Sequence, residues 1–124
     1  MTDTQLLKEN LELYTDCKIK KSKLYEIKNL MFVDETDFCI EIENKEFRFI
    51  LDTKIWDIYY ESQKDLIEEC FLPSKLPYWI VIDWEETIDN VYQTDGYGNH
   101  FSGYDGSEES FEHDGQLWYI FRTN

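Results

Sequence analysis

The sequence predicts an α+β protein: a single domain over residues 1–124, with a mainly antiparallel sheet and about three helices. Three observations carry this. Segments with apolar residues three and four apart are interleaved with segments in which they alternate, and short turns join several of the latter. Apolar residues make up 42% of the chain and aromatics 17%, enough for a packed core in spite of a net charge of −15. Finally, 124 residues is the size of one domain.

Residues 4–15 place Leu7, Leu11 and Tyr14 on one helical stripe, with Thr2 or Asp3 as N-cap. Lys18, Lys20, Lys21 and Lys23 then read as a connection, and residues 24–33 as a strand. Phe38, Ile40 and Ile42 alternate with polar partners, and Phe47, Phe49 and Leu51 repeat the pattern on a return strand, so residues 37–51 read as a hairpin turning at Asn44-Lys45. A helix from Lys54 to Cys70, capped by Asp52 or Thr53, has Ile55, Tyr59, Leu66, Trp56, Tyr60 and Ile67 on its apolar side. Its opposite face, Asp57, Glu61, Asp65 and Glu68, reads as solvated surface. Pro73 and Pro77 bracket a loop, after which residues 78–82 (YWIVI) read as a buried strand. Asp83-Trp84-Glu85-Glu86 has the form of a capping box, opening a helix to about Gln93 that buries Trp84, Ile88 and Val91. Residues 94–115 hold all five glycines and read as a long functional or mobile loop. Within it, residues 108–112 pair across His113-Asp114-Gly115 with a closing strand, residues 116–122.

The charge is unevenly placed along this frame. Residues 1–62 carry 14 acids and 9 bases, net −5, whereas residues 63–124 carry 13 acids and 3 bases, net −10. From Leu76 to Phe121 there is no Lys or Arg, while Asp83, Glu85, Glu86, Asp89, Asp95, Asp105, Glu108, Glu109, Glu112 and Asp114 all fall there. Solubility alone is served by mixed signs, and a one-sign field destabilises the fold that carries it. Direct nucleic-acid binding is disfavoured, because phosphate contact needs a basic surface. No apolar run approaches the roughly 18 residues of a spanning helix, and no signal-peptide pattern opens the chain. Three cysteines at wide spacings fit a reducing cytoplasm and read as buried, inert thiols.

Motifs that carry chemistry are few. His100 and His113, among Asp95, Asn99, Asp105 and Asp114, suggest at most a metal-dependent enzyme as an alternative, and the spacing is not that of a calcium loop. There is no Gly-x-Ser-x-Gly elbow and no phosphate-binding loop, so no catalytic residue, metal or cofactor is expected. Surface recognition remains. Aromatic anchors interleave with the ten carboxylates, and Tyr97 and Tyr104, in the glycine-rich segment, read as exposed ones.

This combination resembles the small acidic DNA-mimic inhibitors of phages and mobile elements, the antirestriction and anti-CRISPR proteins. Locally, Leu76-Pro77, Ile82-Asp83-Trp84 and the short acidic helix that follows, within residues 76–92, are similar to the C-terminal part of ArdA-type antirestriction proteins. The resemblance implies a class of function, in which surface carboxylates occupy a basic groove in place of phosphates and block a nuclease without chemistry. The expected partner is a basic nucleic-acid-binding protein, met through Asp83, Glu85, Glu86, Asp89, Asp95, Tyr97, Tyr104, Asp105, Glu108, Glu109, Glu112 and Asp114. An immunity protein against a toxin nuclease is the competing reading of the same charge. A soluble accessory protein, whose charge means nothing further, is the plainest one.

Overall fold

The computed structural model describes residues 2–33, 35–70, 72 and 76–124. Among these residues, five helices and four strands follow the order α1 (Asp3–Thr15), α2 (Lys21–Phe32), β1 (Asp37–Ile42), β2 (Lys45–Leu51), α3 (Asp52–Cys70), α4 (Trp84–Asp95), α5 (Gly98–Phe101), β3 (Glu109–His113), β4 (Gln116–Arg122). The α+β class and the antiparallel sheet are as expected, with strand order β1-β2-β4-β3 and every pairing antiparallel.

Local chemistry explains the elements that match. Thr2 caps α1: its side chain accepts from the Gln5 N–H and the Gln5 side chain accepts from the Thr2 N–H, a reciprocal capping box. At the β3–β4 turn Asp114 and Gly115 both have positive φ, 53° and 76°, as a two-residue hairpin turn with the right twist requires. The first hairpin uses the same device one residue earlier than expected. Ile42 pairs with Lys45, so Glu43 and Asn44 form the turn, with φ of 51° and 67°.

Two segments differ from expectation in kind. Residues 24–33 belong to α2, not to a strand, because Leu24, Ile27 and Met31 lie three and four apart and are buried together. Lys21 and Lys23, expected in a connection, stand in its first turn. Residues 78–82 form no strand: Tyr78, Trp79, Ile80 and Val81 are all exposed. The segment leads from α3 to α4, which pack on the same face of the sheet, so the chain passes outside the layer instead of through the sheet. Pro73, expected to open this loop, lies outside the described residues.

The sheet separates two cores. On one face Phe49, Trp118, Ile120 and Phe111 pack against Leu7 and Leu11 of α1 and Leu24, Ile27 and Met31 of α2. On the other, Ile50 and Phe121 pack against Ile55 and Tyr59 of α3, Ile88 of α4, and Tyr97 and Phe101 around α5. The architecture is therefore three layers, helices on both faces of one sheet. Gln63 occupies the buried stripe of α3 after Ile55 and Tyr59, and Leu66, expected inside, is exposed. Cys17 is buried, but Cys39 and Cys70 are exposed, contrary to expectation. Partial burial and the nearby Glu46 carboxylate push the Cys39 thiol up, so exposure does not make it a reactive thiolate.

Candidate functional site

Asp83 starts the site. Its Oδ1 accepts from the Glu86 N–H at 3.1 Å and its carbonyl accepts from the Thr87 hydroxyl at 2.7 Å, which fixes the first turn of α4. The helix dipole favours Glu85 and Glu86 at that end. Burial of Ile88 against the sheet turns Glu85, Glu86 and Asp89 outward. There they face α3 across a cleft of about 800 Å³, lined by Glu85, Glu86, Asp89, Asp57, Glu61, Trp56 and Tyr60. The aromatic floor is braced from behind: the Trp56 ring meets Tyr92 edge-on at 5.7 Å and lies 5.8 Å from the buried Tyr59 ring.

Five carboxylates thus share one hollow with two aromatic rings. Among the described residues no Lys or Arg lines it, and the ion pairs within 4.0 Å are Lys23–Glu26 and Arg48–Asp37, both elsewhere. Lys64 Nζ lies over the Trp84 ring at 5.5 Å, drawn to an aromatic face. Such a hollow suits guanidinium or ammonium groups, which carboxylates bind by charge-assisted hydrogen bonds and aromatic rings by cation–π attraction. On each wall two carboxylates stand four residues apart, Asp57 and Glu61, Glu85 and Asp89, a rise of about 6 Å. That is of the order of the separation between successive phosphates on one strand.

Acidity belongs to a layer as well as to the cleft. Helices α1 and α2 balance Asp3, Glu9, Glu12 and Glu26 against Lys8, Lys21, Lys23 and Lys28, net zero. Helices α3 and α4 set Asp52, Asp57, Glu61, Asp65, Glu68, Glu69, Glu85, Glu86, Asp89 and Asp95 against Lys54 and Lys64, net −8.

The other expected contact residues scatter. Asp95 borders a separate hollow of about 380 Å³ with Gln63, Val91, Asn99 and His100. Tyr97, expected as an exposed anchor, is buried among Tyr59, Tyr92 and Tyr119, and burial pushes its phenol well above the ordinary range. Tyr104 is exposed, but the Arg122 guanidinium stacks on its ring at 3.6 Å. Asp105 is spent on its own turn, accepting from the Ser107 N–H at 3.0 Å and the Ser102 hydroxyl at 3.3 Å, and the Ser107 side chain together with these donors holds its carboxyl below the usual range. Asp105 and Glu109 share a hollow of about 160 Å³ with Lys45 and Arg122, so the base-free run of sequence is not base-free in space. Glu108 lies close enough to Tyr97 and Tyr119 to help raise both phenols. Glu112 is exposed on β3 opposite Leu117, and Asp114 sits beside Lys28 and His113.

His100 and His113 do not come together. His100 packs with Tyr59 and Phe101 in one core, whereas His113 falls on the Phe111 side of β3, facing the α1 layer near Asp3 and Lys28. His100 Nε2 is 2.7 Å from Ser62 Oγ, which also lies 2.9 Å from the Ile58 carbonyl and 3.2 Å from the Tyr59 carbonyl within its own helix. Among the described residues no group of three or more His, Cys, Asp or Glu is arranged to hold a metal ion, and no helix is long and apolar enough to cross a membrane.

Sequence reasoning missed Asp57, Glu61, Trp56 and Tyr60. Their signal was present, a carboxylate face on the α3 pattern, but nothing local marks it as the wall facing α4. The fold and site together define a three-layer α+β protein with an acidic, aromatic-floored cleft. No protein-family profile matches the chain, and no curated protein or solved structure is significantly similar to it.

Proposed function

We propose that the protein is a non-enzymatic inhibitor that lays its α3–α4 layer on the basic nucleic-acid-binding surface of a defence nuclease or related effector inside the cell. The observation that carries this is the cleft, where five carboxylates on two helices share one hollow with Trp56 and Tyr60 and, among the described residues, no Lys or Arg lines it. Like charges gathered without compensation lower stability, so a function that uses the charge is the economical reading. The carboxylates take the place of phosphates, and Lys and Arg of the partner fill the hollow. The resemblance to DNA-mimic inhibitors points the same way.

The test is displacement of a fluorescent DNA or RNA duplex from three purified effectors: a restriction endonuclease, an RNA-guided nuclease and a toxin nuclease. The protein should displace the duplex from at least one, with affinity falling at least tenfold between 50 and 200 mM NaCl. The triple substitution Asp57→Lys, Glu85→Lys, Asp89→Lys should abolish displacement. Displacement from none of the three, or displacement indifferent to salt and to charge reversal, would overturn the proposal. Displacement confined to the toxin nuclease assigns the partner as a toxin.

A further inference from the structure

The segment joining α3 to α4 contains the most exposed apolar group described in the protein. Tyr78 is 96% exposed, Trp79 69%, Val81 88% and Ile80 40%. The Ile80 N–H donates to the Pro77 carbonyl at 3.0 Å, closing a four-residue turn with Tyr78 and Trp79 at its two central positions. The turn therefore presents two aromatic rings at its tip. Aromatic side chains offer roughly 150–250 Å² each, so this pair alone approaches the patch size that marks interaction sites on monomers. The tip is four residues from the Asp83 cap, a chain reach of at most about 14 Å.

We infer that the Tyr78–Val81 turn is the apolar anchor of the interface, seated in an apolar pocket rimmed by Lys and Arg on the same basic partner; this rests on the function proposed above. Charge selects that occupant. A second copy would bring its own net charge of −15 and the same Asp83, Glu85 and Glu86 against the first. A membrane with anionic headgroups meets the same repulsion. A basic protein surface is attracted by Asp83, Glu85 and Glu86, which follow the turn, and desolvation of Trp79 and Tyr78 then supplies the short-range part of binding that charge alone does not.

The duplex-displacement assay separates the two roles. With the effector that responds to wild type, Tyr78→Ser/Trp79→Ser should compete at least tenfold more weakly, with its salt dependence unchanged. Trp79→Phe should recover most of the loss. Because both rings are largely exposed, the melting temperature should stay within a degree or two of wild type, so misfolding is checked in the same samples. If the double variant competes as well as wild type while the charge-reversal triple fails, the anchor is wrong and the proposed function stands. If wild type displaces no duplex, both fall. A dimer in sedimentation velocity that disappears with Tyr78→Ser/Trp79→Ser assigns the turn to a second copy and overturns the inference. So does turn-dependent flotation with phosphatidylcholine vesicles, which assigns it to a membrane.

Discussion

His100 shows how far the role of a single residue depends on its neighbours. Burial holds its imidazole below the ordinary value near 6.5, and the Arg48 charge adds to the effect. The neutral form shares a hydrogen bond with Ser62 and packs edge-on to Tyr59 and Phe101. Unfolding restores the ordinary affinity for protons, so the unfolded chain binds more of them. The stability contributed is complete above about pH 6.5 and is lost as pH falls from there toward the depressed folded value. We expect His100→Gln to flatten part of the fall in the urea midpoint between pH 7 and pH 5. The rest belongs in part to His113, which burial lowers in the same direction against the opposing pull of Asp114 and Asp3. A pH slope identical to wild type in His100→Gln would remove this account. Tyr97 carries the same lesson. A tyrosine between two glycines reads as exposed, yet Tyr59, Tyr92 and Tyr119 enclose it.

At the scale of elements, the glycine-rich stretch is packed structure as well as loop. Gly98 opens α5, and a side chain there would collide with the Gly106 carbonyl, whose backbone crosses directly over it. Gly103 meets the Thr123 carbonyl in the same way. These close approaches hold α5 against the loop that leads to β3, and hold that loop against Thr123 after β4. Gly98→Ala is expected to lower stability by about 1–3 kcal/mol, the usual penalty of forcing extra atoms into a packed site. The exposed Gln93→Ala should stay within about 0.5 kcal/mol of wild type. Urea midpoints with an unchanged m-value check both, and a neutral Gly98→Ala would mean that the crossing relaxes freely. The hairpins and the α1 cap were legible in the sequence because a few adjacent residues specify them: alternation, two positive-φ turn residues, Thr2 with Gln5. Residues 24–33 were misread because a short apolar run fits strand and helix alike, and only the spacing of Leu24, Ile27 and Met31 separates them.

Across the whole molecule, the sheet divides a neutral helical layer from one of net −8. The charge is asymmetric through the thickness of the fold, and the split into an early and a late half of the chain is only its shadow. Helix α3 crosses the boundary between the halves and supplies six of the acids, Asp52, Asp57 and Glu61 before it and Asp65, Glu68 and Glu69 after it. Its last turn has no basic residue to meet the helix dipole, and Glu68 and Glu69 stand there instead. Relief of this repulsion should be measurable. Asp57→Asn with Glu61→Gln is expected to raise stability by about 0.5 kcal/mol at low salt, the scale of like-charge pairs four apart on a helix. The gain should shrink toward zero at 0.5 M NaCl, where the screening length is only a few ångströms. Thermal melts at the two salt concentrations test it, and a loss of stability at low salt would show that the cleft is not under electrostatic strain. The same pair of substitutions should weaken duplex displacement, a trade of function for stability.

By itself the sequence determined the α+β class, the two hairpins, the caps of α1 and α4 and the size of the charge. Each of these follows from composition or from residues within a few positions of one another. Only the tertiary structure decided which carboxylates face each other. It joined Asp57 and Glu61 to Glu85 and Asp89, set Asp105 and Glu109 beside Lys45 and Arg122, buried Tyr97 and left Tyr78–Val81 uncovered. The reason is physical: hydrophobic burial fixes which stripe of a helix turns inward, but the opposing wall of a cleft is chosen by packing between elements distant in the chain.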